Sequence, residues 1–280
     1  MAARDGGVVD VQAADPSLPG SLREALAGPG LMSRLEAAAA AGDVTPFDPG
    51  DLLAPVPDPG KVLCIGRNYA DHASETGHTI LDTRPEVFLR SRTSLASPFA
   101  AVAVPSLSEQ LDYEVELAVV VGRPGRHVPE GRAHEHVAGY AVFNDFSVRD
   151  YQITREQWTA GKNFDGTGPL GPFLVTADEV PDPYALELST TVVRVDGTEE
   201  ELQRATSSQL VHRIAELIAY LTEWTTLEPG DIIATGTPAG VGLGRSPNRW
   251  LRPGETVISR IEGLGELRNV VVEEERSGHG

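Results

Sequence analysis

Hydrophobic and polar positions divide the chain into a short helical part and a long part rich in strands. In the first part, SLREALA and LMSRLEAAAAAG carry helix-forming residues, with Ser21 and Ser33 as expected N-caps and Gly42 as an expected stop. A proline-rich connector, TPFDPGDLLAPVPDPG, follows. The pattern predicts a small N-terminal domain over residues 1–55 and a larger domain over residues 56–280.

The larger part consists of short apolar runs separated by Gly and Pro turns, as is typical of β-strands. The runs include YEVELAVVVG, VAGYAVFND, GPFLVTA, LSTTVVRVDG, DIIATGTP and TVISRIEG. One amphipathic helix, SSQLVHRIAELIAYLTEWTT, interrupts them. Its apolar face is formed by Leu210, Ile214, Leu217, Ile218 and Leu221. The sequence therefore predicts a mixed α/β chain that is dominated by strands.

The strand LDYEVELAVVVG places carboxylates opposite an apolar face. Side chains alternate along a strand, so Asp112, Glu114 and Glu116 share one face. The other face carries Tyr113, Val115, Leu117, Val119 and Val121. Like charges about 7 Å apart cost stability unless a cation neutralises them. A solvated edge strand would tolerate them, but the adjoining run AVVVG indicates a central strand.

A third acidic residue, Asp145, lies in the apolar run GYAVFNDFSVRD, where a charged group needs a partner or a ligand. Together with Glu114 and Glu116 it predicts a site of oxygen ligands. Such ligands select a hard cation, Mg²⁺, Mn²⁺ or Ca²⁺, over Zn²⁺. Three protein ligands also leave coordination positions for a chelating substrate.

The charge balance and the apolar runs exclude several classes of function. The chain has 23 basic and 41 acidic residues, and its formal net charge of −18 repels nucleic acid and anionic membranes. No apolar run approaches the roughly 18 residues of a membrane-spanning helix. The N-terminus lacks the basic start and apolar centre of a signal peptide. We therefore expect a cytoplasmic protein without a nucleic-acid or membrane partner.

Histidine, cysteine and glycine motifs add no further site. His127, His134 and His136 lie in a Gly- and Glu-rich segment without a Cys partner, which is more typical of a solvated loop than of a zinc site. The single cysteine, Cys64, is expected to be a buried strand thiol. The glycines of GTGPLG are followed by the strand FLVTA instead of a helix, so they do not predict dinucleotide binding.

Five motifs, in order, resemble the fumarylacetoacetate hydrolase family over roughly residues 61–272. They are GRNYADHASETG, DYEVELAVVVG, NDFSVRDYQ, GKNFDGTGPLGPFLV and LEPGDIIATGTPAGVG. The resemblance implies a β-sandwich or β-roll fold, a homodimer, and Mg²⁺ or Mn²⁺ held by Glu114, Glu116 and Asp145. It also implies a small 2-oxo or β-diketo acid as substrate. Because the family includes acylpyruvate hydrolases, decarboxylases, hydratases and isomerases, the fold does not fix the reaction.

The first of these motifs supplies candidate catalytic residues. His72 and Glu75 are three residues apart, on one face if the segment is helical. They match the pair that activates water in hydrolytic family members, with His72 as the base and Glu75 as its orienting partner. Arg67 fits a substrate-binding role because a guanidinium pairs with a carboxylate through two hydrogen bonds.

Other motifs supply further contacts. Lys162 and Gln152 match family positions that contact the substrate, and a lysine beside a metal-bound oxyanion stabilises the developing charge. Thr237 resembles the family's substrate-facing turn. The segment FLRSRTSL departs from the family, since Arg90 and Arg92 stand where relatives often have Lys-Ser-Pro. The usual substrate contacts near that turn are therefore in doubt.

These features predict a metal-dependent hydrolase that cleaves a carbon–carbon bond in acylpyruvate-type β-diketo acids. The cation would chelate the 2-oxo carboxylate end, and His72 would deprotonate a water that attacks the distal carbonyl. Two alternatives stay open. One is a 2-oxo acid decarboxylase or a hydratase/isomerase on the same scaffold. The other is a non-catalytic protein whose carboxylates hold a cation for stability alone.

Overall fold

A computed structural model describes residues 1–78, 84–154 and 156–275. In chain order, the strands are β1 (Ala2–Arg4), β2 (Gly7–Val9), β3 (Val44–Thr45), β4 (Val62–Gly66), β5 (Glu86–Arg90), β6 (Leu95–Ala96), β7 (Val102–Val104), β8 (Leu111–Asp112), β9 (Val115–Val121), β10 (Val137–Asn144), β11 (Ser147–Val148), β12 (Gly168–Thr176), β13 (Glu187–Val193), β14 (Glu199–Thr206), β15 (Ile232–Ala234), β16 (Thr256–Ile261) and β17 (Gly265–Glu273). The prediction of a mixed α/β chain dominated by strands is confirmed.

The described residues form fewer helices than strands. They are α1 (Val11–Ala14), α2 (Leu22–Ala27), α3 (Leu31–Ala41), α4 (Ala70–Glu75), α5 (Arg149–Ile153), α6 (Thr159–Lys162) and α7 (Ile214–Trp224). Short 3₁₀ helices cover Pro49–Asp51, Arg92–Ser94, Glu130–His136, Ser207–Gln209 and Gly242–Gly244. In the described ranges, no helix has the length and apolar character needed to cross a membrane.

The largest sheet has seven strands in the order β5-β4-β15-β9-β10-β12-β6. Neighbouring strands are antiparallel except for the parallel pairs β15–β4 and β12–β6. Strand β9 lies between β15 and β10, so it is central, as the run AVVVG predicts. The register of β9 and β10 pairs Glu116 with Phe143 and Val115 with Asn144. This register brings the start of β9 next to the end of β10.

A five-stranded sheet, ordered β14-β13-β16-β17-β7, shares a core with the seven-stranded sheet. Leu188, Ile261 and Leu267 from the smaller sheet join Leu117 and Val119 of β9 in one apolar cluster. The opposite face of β9 packs elsewhere, because Ala118 and Val120 belong to two further clusters. The alternation predicted for this strand is therefore correct, and both of its faces are buried.

Helix α7 buries the predicted apolar face through Ile214, Leu217, Ile218 and Leu221. The sequence predicted that α7 would begin at an earlier residue than it does. Leu210 precedes the helix and forms a bridge with Tyr69. The backbone of His212 is held by Asn68, whose Oδ1 accepts from His212 N at 2.7 Å and whose Nδ2 donates to His212 O at 3.0 Å. These tertiary hydrogen bonds keep the segment before α7 extended.

Residues 1–45 contain a separate sheet, β1-β2-β3, packed with α1 and α3. Ser21 caps α2 as predicted, since its hydroxyl accepts from Glu24 N at 3.1 Å. The predicted cap at Ser33 is wrong, because α3 starts two residues earlier, after Gly30 in a left-handed conformation. Gly42 ends α3 as predicted. The division of the chain at residues 55 and 56 stays a prediction.

Candidate active site

Three carboxylates meet where β9 begins and β10 ends. One oxygen from each of Glu114, Glu116 and Asp145 lies within 4.8 Å of the others, and all three residues are buried. Asp145 N also donates to Glu114 O at 2.9 Å, which fixes the two segments side by side. The sequence prediction that these three side chains converge is therefore correct.

Buried cations surround two of these carboxylates. Lys162 Nζ lies 2.5 Å from Glu114 Oε2 and 2.5 Å from Asp145 Oδ2. Arg149 Nη2 lies 2.6 Å from Glu114 Oε1, and Arg90 forms an ion pair with Asp145. Burial opposes ionisation of Glu114, but Lys162 and Arg149 outweigh it and lower the pKa of Glu114 to about 2.

Glu116 differs from its two neighbours. Among the described residues, no cation lies within ion-pair distance of it, and its Oε2 accepts a hydrogen bond from Gly236 N at 2.9 Å. Burial, together with the charges of Asp145 and Glu114, raises the pKa of Glu116 well above its usual range. A hard dication would relieve this repulsion, so three buried oxygen donors of this kind fit a divalent metal.

His72 and Glu75 lie on α4 and contact each other. His72 Nδ1 is 2.9 Å from Glu75 Oε1, and the two side chains are 9% and 18% exposed. An ionised carboxylate only accepts hydrogen bonds, so in the neutral imidazole Nδ1 would donate to Glu75 and Nε2 would carry the lone pair. Glu75 is held in turn by Gly240 N, which donates to its Oε2 at 2.9 Å.

A cavity of about 860 Å³ connects these groups. Eight of the nine predicted site residues line it: Arg67, His72, Glu114, Glu116, Asp145, Gln152, Lys162 and Thr237. The ninth, Glu75, is not part of the lining but contacts His72 directly. Gln152 Oε1 accepts from Arg149 Nη1 at 2.7 Å. The roles of these residues in binding and catalysis stay predictions.

Arg67 reaches the cavity, but a protein carboxylate already occupies its guanidinium. Its Nε and Nη2 lie 2.6 Å and 2.5 Å from the two carboxylate oxygens of Glu86. The guanidinium carbon also lies 5.3 Å from the ring centroid of Trp158. A substrate carboxylate would have to compete with Glu86 for this arginine.

Several residues of the site were missed or misjudged from the sequence. Arg149 pairs with Glu114 and with Asp112, whose Oδ2 accepts from Arg149 Nε at 2.7 Å. The signal was present, since Arg149 follows the apolar run AVFNDFSV and a buried cation there needs anionic partners. Arg90 is also buried, and besides Asp145 it donates to Thr167 Oγ1 at 2.6 Å.

The histidine and glycine motifs that the sequence set aside do not line the cavity. His134 and His136 belong to a 3₁₀ helix, and His136 Nδ1 lies 3.1 Å from Arg123 O. Gly168 of the GTGPLG segment begins strand β12. Cys64 is a buried free thiol, as predicted, and burial raises its pKa well above the usual range.

Comparison with known proteins agrees with this geometry. Residues 61–272 match the family described as "Fumarylacetoacetate (FAA) hydrolase C-terminal". The chain belongs to the fumarylacetoacetate hydrolase family. The matched range includes the three carboxylates, the His72–Glu75 pair and the whole cavity lining.

Family relatives carry different reaction names. Oxaloacetate tautomerase FAHD2A, mitochondrial, of Homo sapiens is 41% identical over 271 residues, which cover 95% of this chain and 84% of the relative. The structure of fumarylacetoacetate hydrolase from Exiguobacterium antarcticum has a TM-score of 0.79 and 33% identity, covering 97% of this chain and 94% of its own.

A third similar protein is 5-carboxymethyl-2-hydroxymuconate delta-isomerase from Mycobacterium smegmatis, with a TM-score of 0.69 and 39% identity. That match covers 80% of this chain and 83% of the isomerase. The three names describe a tautomerase, a hydrolase and an isomerase. The comparisons therefore establish an enzyme family and a shared fold, and they leave the hydrolytic reaction predicted from the sequence without confirmation.

Proposed function

We propose that the protein is a metal-dependent enzyme that interconverts the keto and enol forms of a 2-oxo acid such as oxaloacetate. The observation that carries this proposal is the His72–Glu75 pair at a cavity that also contains three buried carboxylates. The name of the human relative, an oxaloacetate tautomerase, supports the choice of reaction and substrate class.

Glu114, Glu116 and Asp145 would hold Mg²⁺ or Mn²⁺, which would polarise and orient the 2-oxo carboxylate oxygens. The surrounding charges suit this role. Among the described residues, the buried carboxylates and cations that form the triad or pair with it directly or through Arg149 are the carboxylates of Asp112, Glu114, Glu116 and Asp145 and the cations of Arg90, Arg149 and Lys162. With all of them ionised, carboxylates exceed cations by one, and a bound dication would reverse that sign. The loaded site would then attract an anionic substrate.

His72 would take the proton from the carbon between the keto group and the second carboxyl group. Its Nε2 has the free lone pair, while Glu75 stabilises the imidazolium that forms. The electron pair of the broken C–H bond becomes the carbon–carbon double bond of the enolate. Lys162, whose Nζ is buried among the carboxylates, would stabilise the enolate oxygen. The proton held on His72 Nε2 would then pass to that oxygen, which completes the enol and returns His72 to its neutral form.

Hydrolysis of an acylpyruvate is the second candidate. In it, the His72–Glu75 pair would deprotonate water instead of carbon, and the carbon–carbon bond beside the distal carbonyl would break. The name of the Exiguobacterium antarcticum protein and its coverage of nearly the whole chain support this alternative.

The test follows oxaloacetate by proton NMR with the Mg²⁺-loaded protein, and it follows acylpyruvates by mass spectrometry of the products. We expect accelerated interconversion of the keto and enol forms with the carbon chain intact. Cleavage of an acylpyruvate into two acids would favour the hydrolase, and loss of carbon dioxide from oxaloacetate would favour the decarboxylase. A loaded protein that is inactive on both substrates would contradict the proposal and favour the non-catalytic alternative.

A further inference from the structure

Gln203 of β14 connects the five-stranded sheet to the candidate site through four hydrogen bonds. Its Oε1 accepts from Val115 N at 3.1 Å and from Thr190 Oγ1 at 2.8 Å. Its Nε2 donates to Thr237 Oγ1 at 2.9 Å and to Pro238 O at 2.9 Å. The side chain is buried and uses all of its hydrogen-bonding capacity, although it does not line the cavity.

The orientation of this amide is fixed by its partners. A backbone N–H, here that of Val115, can only donate, and a backbone carbonyl, here that of Pro238, can only accept. Rotating the amide by half a turn would break both hydrogen bonds. Nε2 must therefore face Thr237, and the Thr237 hydroxyl must act as the acceptor toward Gln203.

This arrangement determines what Thr237 can offer to a ligand. Its oxygen already accepts from Gln203, so the hydroxyl hydrogen is available for a different acceptor. Within the described ranges, no protein group accepts that hydrogen, and Thr237 lines the cavity. The hydrogen can therefore point toward an anionic group bound there.

We propose that Gln203 is a positioning residue that sets the Thr237 hydroxyl as a hydrogen-bond donor to the carboxylate end of the substrate. This inference rests on the proposed function, because it takes the substrate to be a 2-oxo acid. Gln203 also holds the peptide N–H between Glu114 and Glu116. One side chain thus holds both the strand segment that carries Glu114 and Glu116 and the turn that carries Thr237.

The test substitutes Gln203→Glu, which keeps the side-chain shape and the acceptor for Val115 N. The new carboxylate places an acceptor opposite Thr237, so the hydroxyl turns its hydrogen away from the cavity. The probe is oxalate, a planar dianion that mimics the 2-oxo carboxylate end, titrated calorimetrically in the presence of Mg²⁺. We expect affinity to fall by about 10- to 100-fold, the size of one hydrogen bond to a charged group. KM for oxaloacetate should rise by a similar factor, with Mn²⁺ affinity unchanged.

Two comparisons separate positioning from a structural role. Thr237→Val removes the hydroxyl at constant shape, and it should weaken oxalate binding as much as Gln203→Glu does. The double variant should be no weaker than either single variant, because both remove the same hydrogen bond. Gln209→Glu makes the same chemical change at an exposed helix cap, and it should leave oxalate binding unchanged.

Wild-type oxalate affinity in Gln203→Glu, or additive losses in the double variant, would overturn the assignment while leaving the proposed function intact. Failure of the wild-type protein to bind oxalate would overturn both. If Gln203→Glu does not fold, Gln203→Met tests the same point, because it frees the Thr237 hydroxyl to rotate. Loss of at least about threefold in oxalate affinity would then support the proposal, and unchanged affinity would overturn it.

Discussion

Two ion pairs, one in residues 1–45 and one in residues 61–272, lie in opposite environments. In the N-terminal part, Arg34 and Asp15 form an ion pair of 2.6 Å whose side chains are 44% and 29% exposed. In the larger part, Arg149 and Asp112 form one of 2.7 Å with 3% and 0% exposure. Exposed pairs contribute little to stability, whereas buried pairs carry a desolvation cost that their attraction often fails to recover.

The difference shows which charges require a functional explanation. A surface pair such as Arg34–Asp15 needs none, because both groups remain hydrated. Glu116 and Asp145 are buried carboxylates that repel each other. Such a pair opposes folding unless a bound cation neutralises the repulsion. Removing charged or apolar side chains from each region tests this contrast.

The largest effect is the loss of metal binding expected when one of the three clustered carboxylates is removed. Glu116→Ala removes an oxygen ligand, so it should abolish Mn²⁺ binding in a calorimetric titration. The matched control is Glu200→Ala, whose carboxylate pairs with Arg194 and Arg249 at the edge of β14. The two variants binding Mn²⁺ equally well would contradict the proposed metal site.

His72→Ala should reduce kcat for the keto–enol interconversion of oxaloacetate by about 10²- to 10⁴-fold, the usual contribution of a general base. Metal affinity should not change, because His72 is not a proposed ligand. Glu75→Gln should act similarly, and the double variant should be little worse than either one, since the pair works as a unit.

His212→Ala provides the control for this pair. His212 Nδ1 lies 2.7 Å from Glu216 Oε1 in a similar His–Glu contact, but neither residue lines the cavity. Its kcat should stay near that of the wild type. Equal losses of kcat in His72→Ala and His212→Ala would contradict a catalytic role for the His72–Glu75 pair.

A third effect concerns packing. Leu217→Ala should lower the free energy of unfolding by about 2–5 kcal/mol, because Leu217 is fully buried in the core shared by the two sheets. Leu35→Ala should cost about 1 kcal/mol, since Leu35 is only partly buried in the N-terminal cluster. Urea unfolding of both variants measures the difference, and equal losses would show that the two cores are packed alike.

The smallest effect is expected at the surface pair. Asp15→Asn removes its charge, yet the urea midpoint at neutral pH should stay where it is, because water solvates both partners. A clear downward shift of the midpoint would mean that the N-terminal part depends on its charges as much as on its core.

Local spacing predicted much of the site. Period-two alternation identified the two faces of β9, and charges within apolar runs identified Glu114, Glu116 and Asp145. The three-residue spacing of His72 and Glu75 matched their contact on α4. These signals succeed because neighbours in sequence determine the direction of a side chain once the element is known.

Contacts between residues on different elements could not be predicted from local spacing. Glu86 engages Arg67 from another strand, and Asn68 holds His212 across 144 residues. Gln203 reaches Thr237 from a different sheet. No periodicity encodes such pairs, since they depend on how the sheets pack. The homodimer and the cytoplasmic location also stay predictions, because the spacing of residues along one chain contains no information about its partners or its location in the cell.

The position of β15 has a consequence for the nascent chain. Strands β4 and β9 are made early, but the strand that lies between them, Ile232–Ala234, leaves the ribosome more than a hundred residues after β9 begins. The backbone N–H groups of Gly236 and Gly240, which hold Glu116 and Glu75, follow it. Until then, the facing edges of two apolar strands stay unpaired and prone to wrong contacts. The candidate site can therefore be completed only late in synthesis, and a chain that stops before residue 236 has most of the candidate site side chains without the two backbone N–H groups that hold Glu116 and Glu75.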